Sequence, residues 1–277
     1  MSPNFIARLG SGLVAAGLLF AAAWAGSWWF GALAFPVIAV CAYEMFGMVI
    51  PKDSVTRMAG TLGSVGLMLV VTTGHARGEG GLAVMAAVVM GPALWFLFRT
   101  GEMETVAARI GLSTASLVWT GGLGALTTSL VLLEDGFAWL ILAAVLAFGS
   151  DIGGYFVGKR FGRTKLYPKV SPNKTLEGSL GGVVFATGLA FGLRALFGPD
   201  MPVEMLAVIA PVGAVLGQVG DLAESMLKRS VGVKDSGRIM PGHGGLFDRI
   251  DALLFIGAVL FIYARTVVGV QVTWLSL

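Results

Sequence analysis

Charge is scarce in this chain. Only 13% of its 277 residues are charged, whereas 56% are hydrophobic and the mean hydropathy is +0.84. A soluble domain of this length needs much more polar surface to cover its core. The composition therefore excludes an ordinary water-soluble enzyme. The pI near 9.2 does not indicate a nucleic-acid partner either, because membrane proteins collect Lys and Arg in their cytoplasmic loops.

Cysteine is equally scarce, since Cys41 is the only one. A single cysteine excludes a disulfide within the chain and argues against a metal site built on thiolates. Its simplest interpretation is a small, buried apolar residue. Alternation of apolar and polar residues is also missing from the long hydrophobic runs, which favours helices over the strands of a membrane barrel.

Apolar runs of about 20 residues recur along the chain, each long enough to cross a hydrocarbon layer of ~30 Å. The 41 glycines suit helices that approach closely in lipid. We therefore predict an all-α polytopic transmembrane helical bundle of about nine spans, forming a single integral membrane domain over residues 1–277. The predicted spans are 9–25, 30–50, 58–74, 82–98, 110–132, 137–157, 179–196, 203–226 and 251–270.

The first predicted span has a second interpretation. Arg8, an apolar stretch and the small-x-small tripeptide at residues 23–25 also resemble a signal peptide with its cleavage site. Either interpretation leaves the orientation of the later spans unchanged.

Basic residues are distributed unevenly over the predicted loops. With the N-terminus inside the cell, 16 of the 19 Lys and Arg residues lie on the cytoplasmic side, which leaves only Arg77, Arg194 and Arg265 outside. This asymmetry predicts an integral protein of the cell (inner) membrane with its N-terminus inside and its C-terminus outside. Both long polar loops, residues 159–178 and 227–250, are then cytoplasmic.

Carboxylates lie within or next to the later spans, where ionisable residues are costly and tend to mark function. Spacings of three and four residues place Asp221, Glu224 and Ser225 on one helical face, and Asp248 with Asp251 on another. Asp151 lies in the sixth predicted span. If the topology holds, these acids meet at one depth near the cytoplasmic surface, where a hard cation such as Mg²⁺ would neutralise them.

Basic residues flank these acids in sequence. The bases that would form a collar over the carboxylates are Lys174, Lys228, Arg229, Lys234 and Arg238. Such a collar alone is equally consistent with binding of anionic lipid headgroups, and a single acid alone with a structural ion pair. Acids, bases and glycine-rich turns together favour phosphoryl or nucleotidyl transfer, which needs charge neutralisation and positioning.

The second half of the chain resembles the phosphatidate cytidylyltransferases, also called CDP-diacylglycerol synthases. The resemblance is carried by residues 225–229 (SMLKR), 234–235 (KD) and 241–251 (PGHGGLFDRID), and it extends upstream to 217–221 (GQVGD) and 171–178 (SPNKTLEG). Two positions depart from the pattern: Met240 replaces another apolar residue, and Asn173 stands where Lys is expected. The catalytic half is predicted to be residues 145–255.

The resemblance implies that CTP and phosphatidate react to form CDP-diacylglycerol and pyrophosphate, with Mg²⁺ as cofactor and the site facing the cytoplasm. It leaves open whether a second, monovalent cation takes part. It also implies a homodimer. The implied catalytic residues are Asp221, Ser225, Lys228 and Asp248; the implied metal ligands are Asp221 and Asp248, with Asp151 and Asp251 as weaker candidates; the implied substrate-binding residues are Lys174, Arg229, Lys234, His243 and Arg249.

Three alternative functions fit the sequence less well. A CTP-dependent polyprenol or phytol kinase shares the setting and the nucleotide, but the full pattern over residues 225–251 argues against it. A CDP-alcohol phosphatidyltransferase needs an Asp-Gly-x-x-Ala-Arg motif that this chain lacks. An ion-coupled transporter would place its acids near the midplane of the membrane rather than at one face.

Overall fold

The structure is a computed structural model that describes residues 17–99, 103–240 and 244–273. Within these residues, eight helices are long and apolar enough to cross a membrane. This finding confirms the prediction of an all-α polytopic membrane protein. Residues 9–16 of the first predicted span, 9–25, lie outside the described residues, whereas residues 17–25 are helical.

Nine α-helices and one small hairpin make up the labelled elements. The helices are α1 (Ser27–Val49), α2 (Ser54–Thr72), α3 (Glu79–Phe98), α4 (Met103–Ser116), α5 (Gly124–Thr128), α6 (Gly136–Phe161), α7 (Leu176–Phe197), α8 (Val203–Ser230) and α9 (Phe247–Tyr263). A π-helical stretch, Leu117–Leu123, links α4 to α5, and a second one, Ala264–Val268, extends α9. A short 3₁₀ helix, Ser129–Leu132, follows α5.

The chain divides into two compact units. Unit 1 contains the described residues up to Thr128 together with Asp235–Phe247, and unit 2 contains Ser129–Lys234 and Asp248–Thr273. Unit 1 therefore holds α1 to α5, and unit 2 holds α6, α7, α8 and nearly all of α9. The expectation of a single membrane domain stays a prediction.

The start of α2 is fixed by a capping carboxylate. Asp53 accepts hydrogen bonds from the Thr56 backbone N–H at 2.9 Å and from the Thr56 hydroxyl at 2.6 Å, which satisfies a donor that the first helical turn leaves free. Burial opposes ionisation of Asp53, but the hydrogen bonds from Thr56 and the charges of Arg99 and Arg109 outweigh it and lower the pKa of this carboxyl.

The loop between α6 and α7 folds as a hairpin that the sequence pattern did not predict. Strands β1 (Lys165–Tyr167) and β2 (Ser171–Thr175) pair antiparallel. Thr175 ends β2 and caps α7, because its hydroxyl accepts the Gly178 N–H at 3.1 Å. The Glu177 carboxylate accepts backbone N–H groups of Arg163 and Thr164 at 3.1 Å each. These bonds attach the hairpin to the start of α7 and so position Lys174.

Glycines allow α6 and α7 to approach closely in unit 2. A Cβ atom on Gly178 would lie only 2.8 Å from the Gly154 carbonyl oxygen and 3.0 Å from the Gly158 Cα atom. Helices in lipid associate through such small residues, which bring two backbones into contact. The result is a polar niche between the two helices, described with the site below.

Candidate active site

Helix α8 carries the centre of the site. Asp221, Glu224 and Lys228 follow one another at spacings of three and four residues, so their side chains share one face. The exposed fraction of the side chain is 26% for Asp221 but only 1% for Glu224. This face therefore buries a carboxylate deeply within a membrane span, a placement that is costly and typical of functional sites.

Helix α9 supplies two further carboxylates to the same place. A Cβ atom on Gly217 would lie 2.5 Å from Ile256 Cδ1, and one on Gly220 would lie 2.7 Å from Phe255 Cδ2. Because these glycines of α8 leave room for α9, the first turns of α9 come close to the acidic face of α8. Asp248 and Asp251 lie on those turns.

Lys228 joins the acids of both helices. Its ammonium nitrogen lies 2.7 Å from Glu224 Oε2 and 2.7 Å from Asp248 Oδ1, and the residue is only 8% exposed. A buried ammonium flanked by two carboxylates offsets their repulsion and fixes their positions. The structure thus gives Lys228 a direct role in organising the acids.

Three carboxylates lie close enough to hold one metal ion. Asp221, Glu224 and Asp251 each offer an oxygen, and these oxygens lie within 4.8 Å of one another. Glu224 Oε1 is buried and accepts no hydrogen bond from the residues that the structure describes, although a buried acceptor is normally satisfied. An all-oxygen donor set with a free buried acceptor fits a hard divalent cation.

Two polar side chains contact Asp221 from outside this group. Lys174 of β2 forms an ion pair with Asp221 Oδ2. The Ser225 hydroxyl, one turn along α8, makes a long hydrogen bond of 3.4 Å to Asp221 Oδ1. Asp221 is therefore shared between the carboxylate cluster and a lysine that still exposes 31% of its side chain.

A cavity of about 520 Å³ opens beside this pair between α6, α7 and the hairpin. Its lining includes Asp151, Asn173 and Lys174. This volume lies in the range of small-molecule sites, ~300–1,000 Å³. Asp151 interacts electrostatically with Asp221, Lys174 and Arg249. Two residues of the cavity lining, Asp151 and Lys174, thus interact with Asp221 of the carboxylate cluster.

The floor of this cavity is held by an amide network. Gln218 Nε2 donates to the Ser150 hydroxyl at 2.8 Å and to the Ser179 carbonyl at 3.0 Å. The Ser179 hydroxyl donates to Gln218 Oε1. The side chain of Gln218 on α8 thus forms hydrogen bonds to both α6 and α7, and these bonds hold the three helices together beside the cavity.

The structure brings together most of the residues that the sequence singled out. Asp151, Lys174, Asp221, Ser225, Lys228, Asp248 and Asp251 lie in this part of unit 2. Asp248 contacts Lys228 rather than joining the three-carboxylate group, so its direct binding of a metal stays a prediction.

The remaining substrate-binding predictions concern residues at the edge of the site or beyond it. Arg229 is exposed and donates to the carbonyls of Val170 at 3.5 Å and Val233 at 3.2 Å. Lys234 and Arg249 are exposed as well. Their contact with substrate stays a prediction. His243 lies outside the described residues.

Sequence reasoning missed two residues of the site: Glu224 as a candidate metal ligand, and Gln218 as the side chain that joins the helices around the cavity. Glu224 carried a usable signal, since it is an acid inside a span three residues after Asp221. Gln218 lies within the GQVGD pattern, but nothing in that pattern indicates which helices its amide joins.

Unit 1 contains a buried acid of its own, Glu44 of α1, which is 2% exposed. Its Oε2 accepts the Phe247 backbone N–H at 2.9 Å and the Ser236 hydroxyl at 3.3 Å. A Cβ atom on Gly237 would lie 2.5 Å from the Glu44 Cδ atom, and one on Gly245 would lie 2.6 Å from Oε2. Glu44 therefore anchors both ends of the segment from Ser236 to Phe247.

Comparison with known proteins identifies a family and several relatives of similar sequence. Residues 6–267 match the model of the cytidylyltransferase family. The chain is 45% identical over 128 residues to a phosphatidate cytidylyltransferase of Bacillus subtilis, a match that covers 46% of this chain and 48% of that protein. Proteins of the same name match at 39% identity over 123 residues in Staphylococcus epidermidis and at 40% over 123 residues in Staphylococcus aureus, covering 44% of this chain and 47% of each relative.

These matches thus span about half the length of the relatives. The family model, by contrast, extends over nearly the whole of this chain. Because this match covers far more than half of the sequence, the chain belongs to the cytidylyltransferase family.

Proposed function

We propose that this protein is a phosphatidate cytidylyltransferase, which transfers CMP from CTP to phosphatidate and releases pyrophosphate. The observation that carries the proposal is the group formed by Asp221, Glu224 and Asp251 with Lys174 beside it. The similarity to phosphatidate cytidylyltransferases of three bacteria supports it.

The proposed reaction forms one phosphorus–oxygen bond and breaks another. An oxygen of the phosphatidate phosphate attacks the α-phosphorus of CTP, and the bond from that phosphorus to the bridging oxygen of the β-phosphate breaks. Pyrophosphate leaves with the bonding electrons. Because the attacking oxygen is already anionic, no strong base is needed, and the protein contributes positioning and charge stabilisation.

The acidic residues would hold the cofactor. Asp221, Glu224 and Asp251 would bind Mg²⁺, which neutralises charge on the triphosphate and on the departing pyrophosphate. Lys228 holds Glu224 and Asp248 in fixed positions through its two 2.7 Å contacts. Ser225 orients Asp221 from the neighbouring turn.

Lys174 is placed to bind a phosphate group. It lies on a hairpin at the cavity lining and reaches Asp221 with an ammonium group that carries three donors. Arg229, Lys234 and Arg249 would add positive charge at the exposed edge, as the family resemblance implies. The glycines of α6 and α7 that border the cavity let a phosphate approach the backbone.

Labelled CTP tests the proposal directly. With purified protein, phosphatidate and Mg²⁺, label from the α-phosphate should enter the chloroform-soluble lipid, and label from the γ-phosphate should enter only pyrophosphate. A kinase would instead place the γ-label in lipid and release CDP. Lipid label from the γ position, with none from the α position, would contradict the proposal.

The proposed location is the cell (inner) membrane, with the N-terminus and both polar loops in the cytoplasm. The basic residues support this orientation. In a Cys41→Ser background, cysteines placed at Lys165 and Gly237 should resist an impermeant thiol reagent in intact cells, whereas one at Leu277 should react. Labelling of both loops from outside would show that the protein has the opposite orientation. A homodimer, expected from the family resemblance, is tested by the mass of the purified protein in detergent.

A further inference from the structure

Unit 1 contains an apolar cavity of about 350 Å³ between α2, α3 and the end of α4. Its walls are formed largely by glycines and aliphatic side chains, among them Gly63, Gly66, Val84 and Gly91. The volume falls within the range of ligand pockets, ~300–1,000 Å³. The catalytic chemistry proposed above uses none of its residues.

One end of this cavity is polar. Trp95 and Thr56 both line it, and the Trp95 indole N–H donates to the Thr56 hydroxyl oxygen at 2.8 Å. The Thr56 hydroxyl in turn donates to Asp53 at 2.6 Å. Asp53 pairs with Arg99 at 2.9 Å and with Arg109 at 3.3 Å. A continuous chain of polar contacts thus connects the lining to two guanidinium groups.

Both guanidinium groups lie over aromatic residues of the cavity wall. Arg109 Cζ lies 4.4 Å from the centre of the Phe96 ring, and Arg99 Cζ lies 5.7 Å from that of Trp95. Two arginines share the single carboxylate of Asp53, so this end keeps a net positive charge. Each guanidinium also has more N–H donors than Asp53 accepts. The polar end therefore complements an anion.

Ser113 marks the transition from the polar end to the apolar part. It lines the cavity and is 4% exposed, and its hydroxyl has no hydrogen-bond partner among the residues described. It lies four residues after Arg109 and four before Leu117, so these three residues follow one face of the helical span. A buried hydroxyl without a partner is costly and calls for an acceptor inside the cavity.

We propose that this cavity binds one anionic phospholipid of the surrounding membrane. The lipid phosphate would contact Arg99 and Arg109, an ester carbonyl would accept the Ser113 hydroxyl, and one acyl chain would fill the apolar part. The arginines beside the polar end, the Ser113 hydroxyl and the apolar lining match these three parts of a phospholipid. A neutral hydrocarbon would leave the arginines unused, and inorganic phosphate would leave the cavity empty. The proposal does not rest on the proposed function.

Native mass spectrometry of the whole purified protein in mild detergent tests the proposal. The probes are phosphatidylglycerol and phosphatidylcholine with identical acyl chains, so that only the headgroup charge differs. The protein should retain one phosphatidylglycerol after detergent washing and at least about tenfold less phosphatidylcholine, the scale of one charge-assisted contact. Equal retention of both lipids would overturn the proposal.

Matched variants locate the bound lipid. Gly91→Leu adds a side chain where a Cβ atom meets open space at the cavity wall, whereas Gly111→Leu adds one in open space outside it. Arg109→Gln removes a charge that pairs with Asp53 at the polar end, and Lys52→Gln removes an exposed charge outside that ion-pair group. Gly91→Leu and Arg109→Gln should each lower retention about tenfold, with the two controls unchanged. Retention that is unaffected in both cavity variants would contradict the assignment even if a lipid is bound.

Discussion

The two units each bury a glutamate in a membrane helix, and the surroundings of the two side chains differ. In unit 1, Glu44 accepts a backbone N–H from Phe247 and a hydroxyl from Ser236. In unit 2, Glu224 lies beside Asp221 and Asp251, with Lys228 as its cationic partner. Among the described residues, the neutral donors Ser236 and Phe247 bind the first glutamate, whereas charged side chains lie around the second.

This difference distinguishes a carboxylate that stabilises the fold from one that takes part in ligand binding or catalysis. Neutral donors stabilise a buried carboxylate and order the backbone that supplies them. Like charges at short distance are unfavourable unless a cation joins them, so their presence indicates a ligand or a reaction. We infer that Glu44 fixes the positions of Ser236 and Phe247, and that Glu224 belongs to the reacting centre.

The largest predicted effect is on Lys228. Lys228→Met keeps the bulk of the side chain but leaves Glu224 and Asp248 buried without their shared cation. Breaking a buried pair in this way costs about 3–5 kcal/mol, so the variant should unfold far more readily in a detergent-based unfolding assay. Lys234→Met, at an exposed position, is the control. Equal stability of the two variants would show that the Lys228 contacts do not organise unit 2.

A smaller but still large effect is expected at Asp221. Asp221→Asn preserves size and hydrogen bonding while it removes a charge from the three-carboxylate group. Cytidylyl transfer should fall by at least about 10²-fold, the scale for loss of one electrostatic stabiliser, in a protein that remains folded. Asp200→Asn changes an exposed acid of the same unit and should leave the rate unchanged. Near-normal turnover of Asp221→Asn at ordinary Mg²⁺ concentration would rule out its role in metal binding.

Glu44→Gln tests whether the buried glutamate of unit 1 has a structural role. Its amide oxygen can still accept a hydrogen bond, but the charge that strengthens the bonds from Phe247 and Ser236 is lost. We expect a loss of about 1–3 kcal/mol in stability, measured in the same unfolding assay. Proteolysis of the Ser236–Phe247 segment should also become faster. Unchanged stability together with unchanged proteolysis would show that Glu44 does not anchor this segment.

Much of the fold was predictable because hydrophobic length is a local property of sequence. The predicted spans 82–98 and 203–226 correspond to helices Glu79–Phe98 and Val203–Ser230. The predicted span 203–226 is shorter than helix α8, because the apolar run stops before Lys228 and Arg229. Both basic residues in fact lie in the last turn of α8, where positive charge stabilises a helix. The hairpin was missed because its strands are short and polar.

The sequence predicted most of the acidic residues of the site, but it did not predict which residues they contact. Asp221 and Lys228 carried a signal in a charge-poor chain, and so did Glu224, which was left out of the ligand set. Glu44 could not be assigned from sequence, because its partners lie 192 and 203 residues away. The Lys174 contact with Asp221 depends on an unpredicted hairpin and spans 47 residues. Such contacts between distant residues depend on how the helices pack, and the hydrophobic pattern of the sequence does not predict that packing.

We expect the buried acids of unit 2 to hold a divalent cation and the buried acid of unit 1 to hold none. Mn²⁺ binding to the purified protein, followed by electron paramagnetic resonance without substrates, tests it most directly. Glu224→Gln should weaken Mn²⁺ binding at least about tenfold, a lost contact to a charged group. Glu44→Gln should bind Mn²⁺ as the unaltered protein does. Unchanged Mn²⁺ binding by Glu224→Gln, or an equal loss in both variants, would contradict the account.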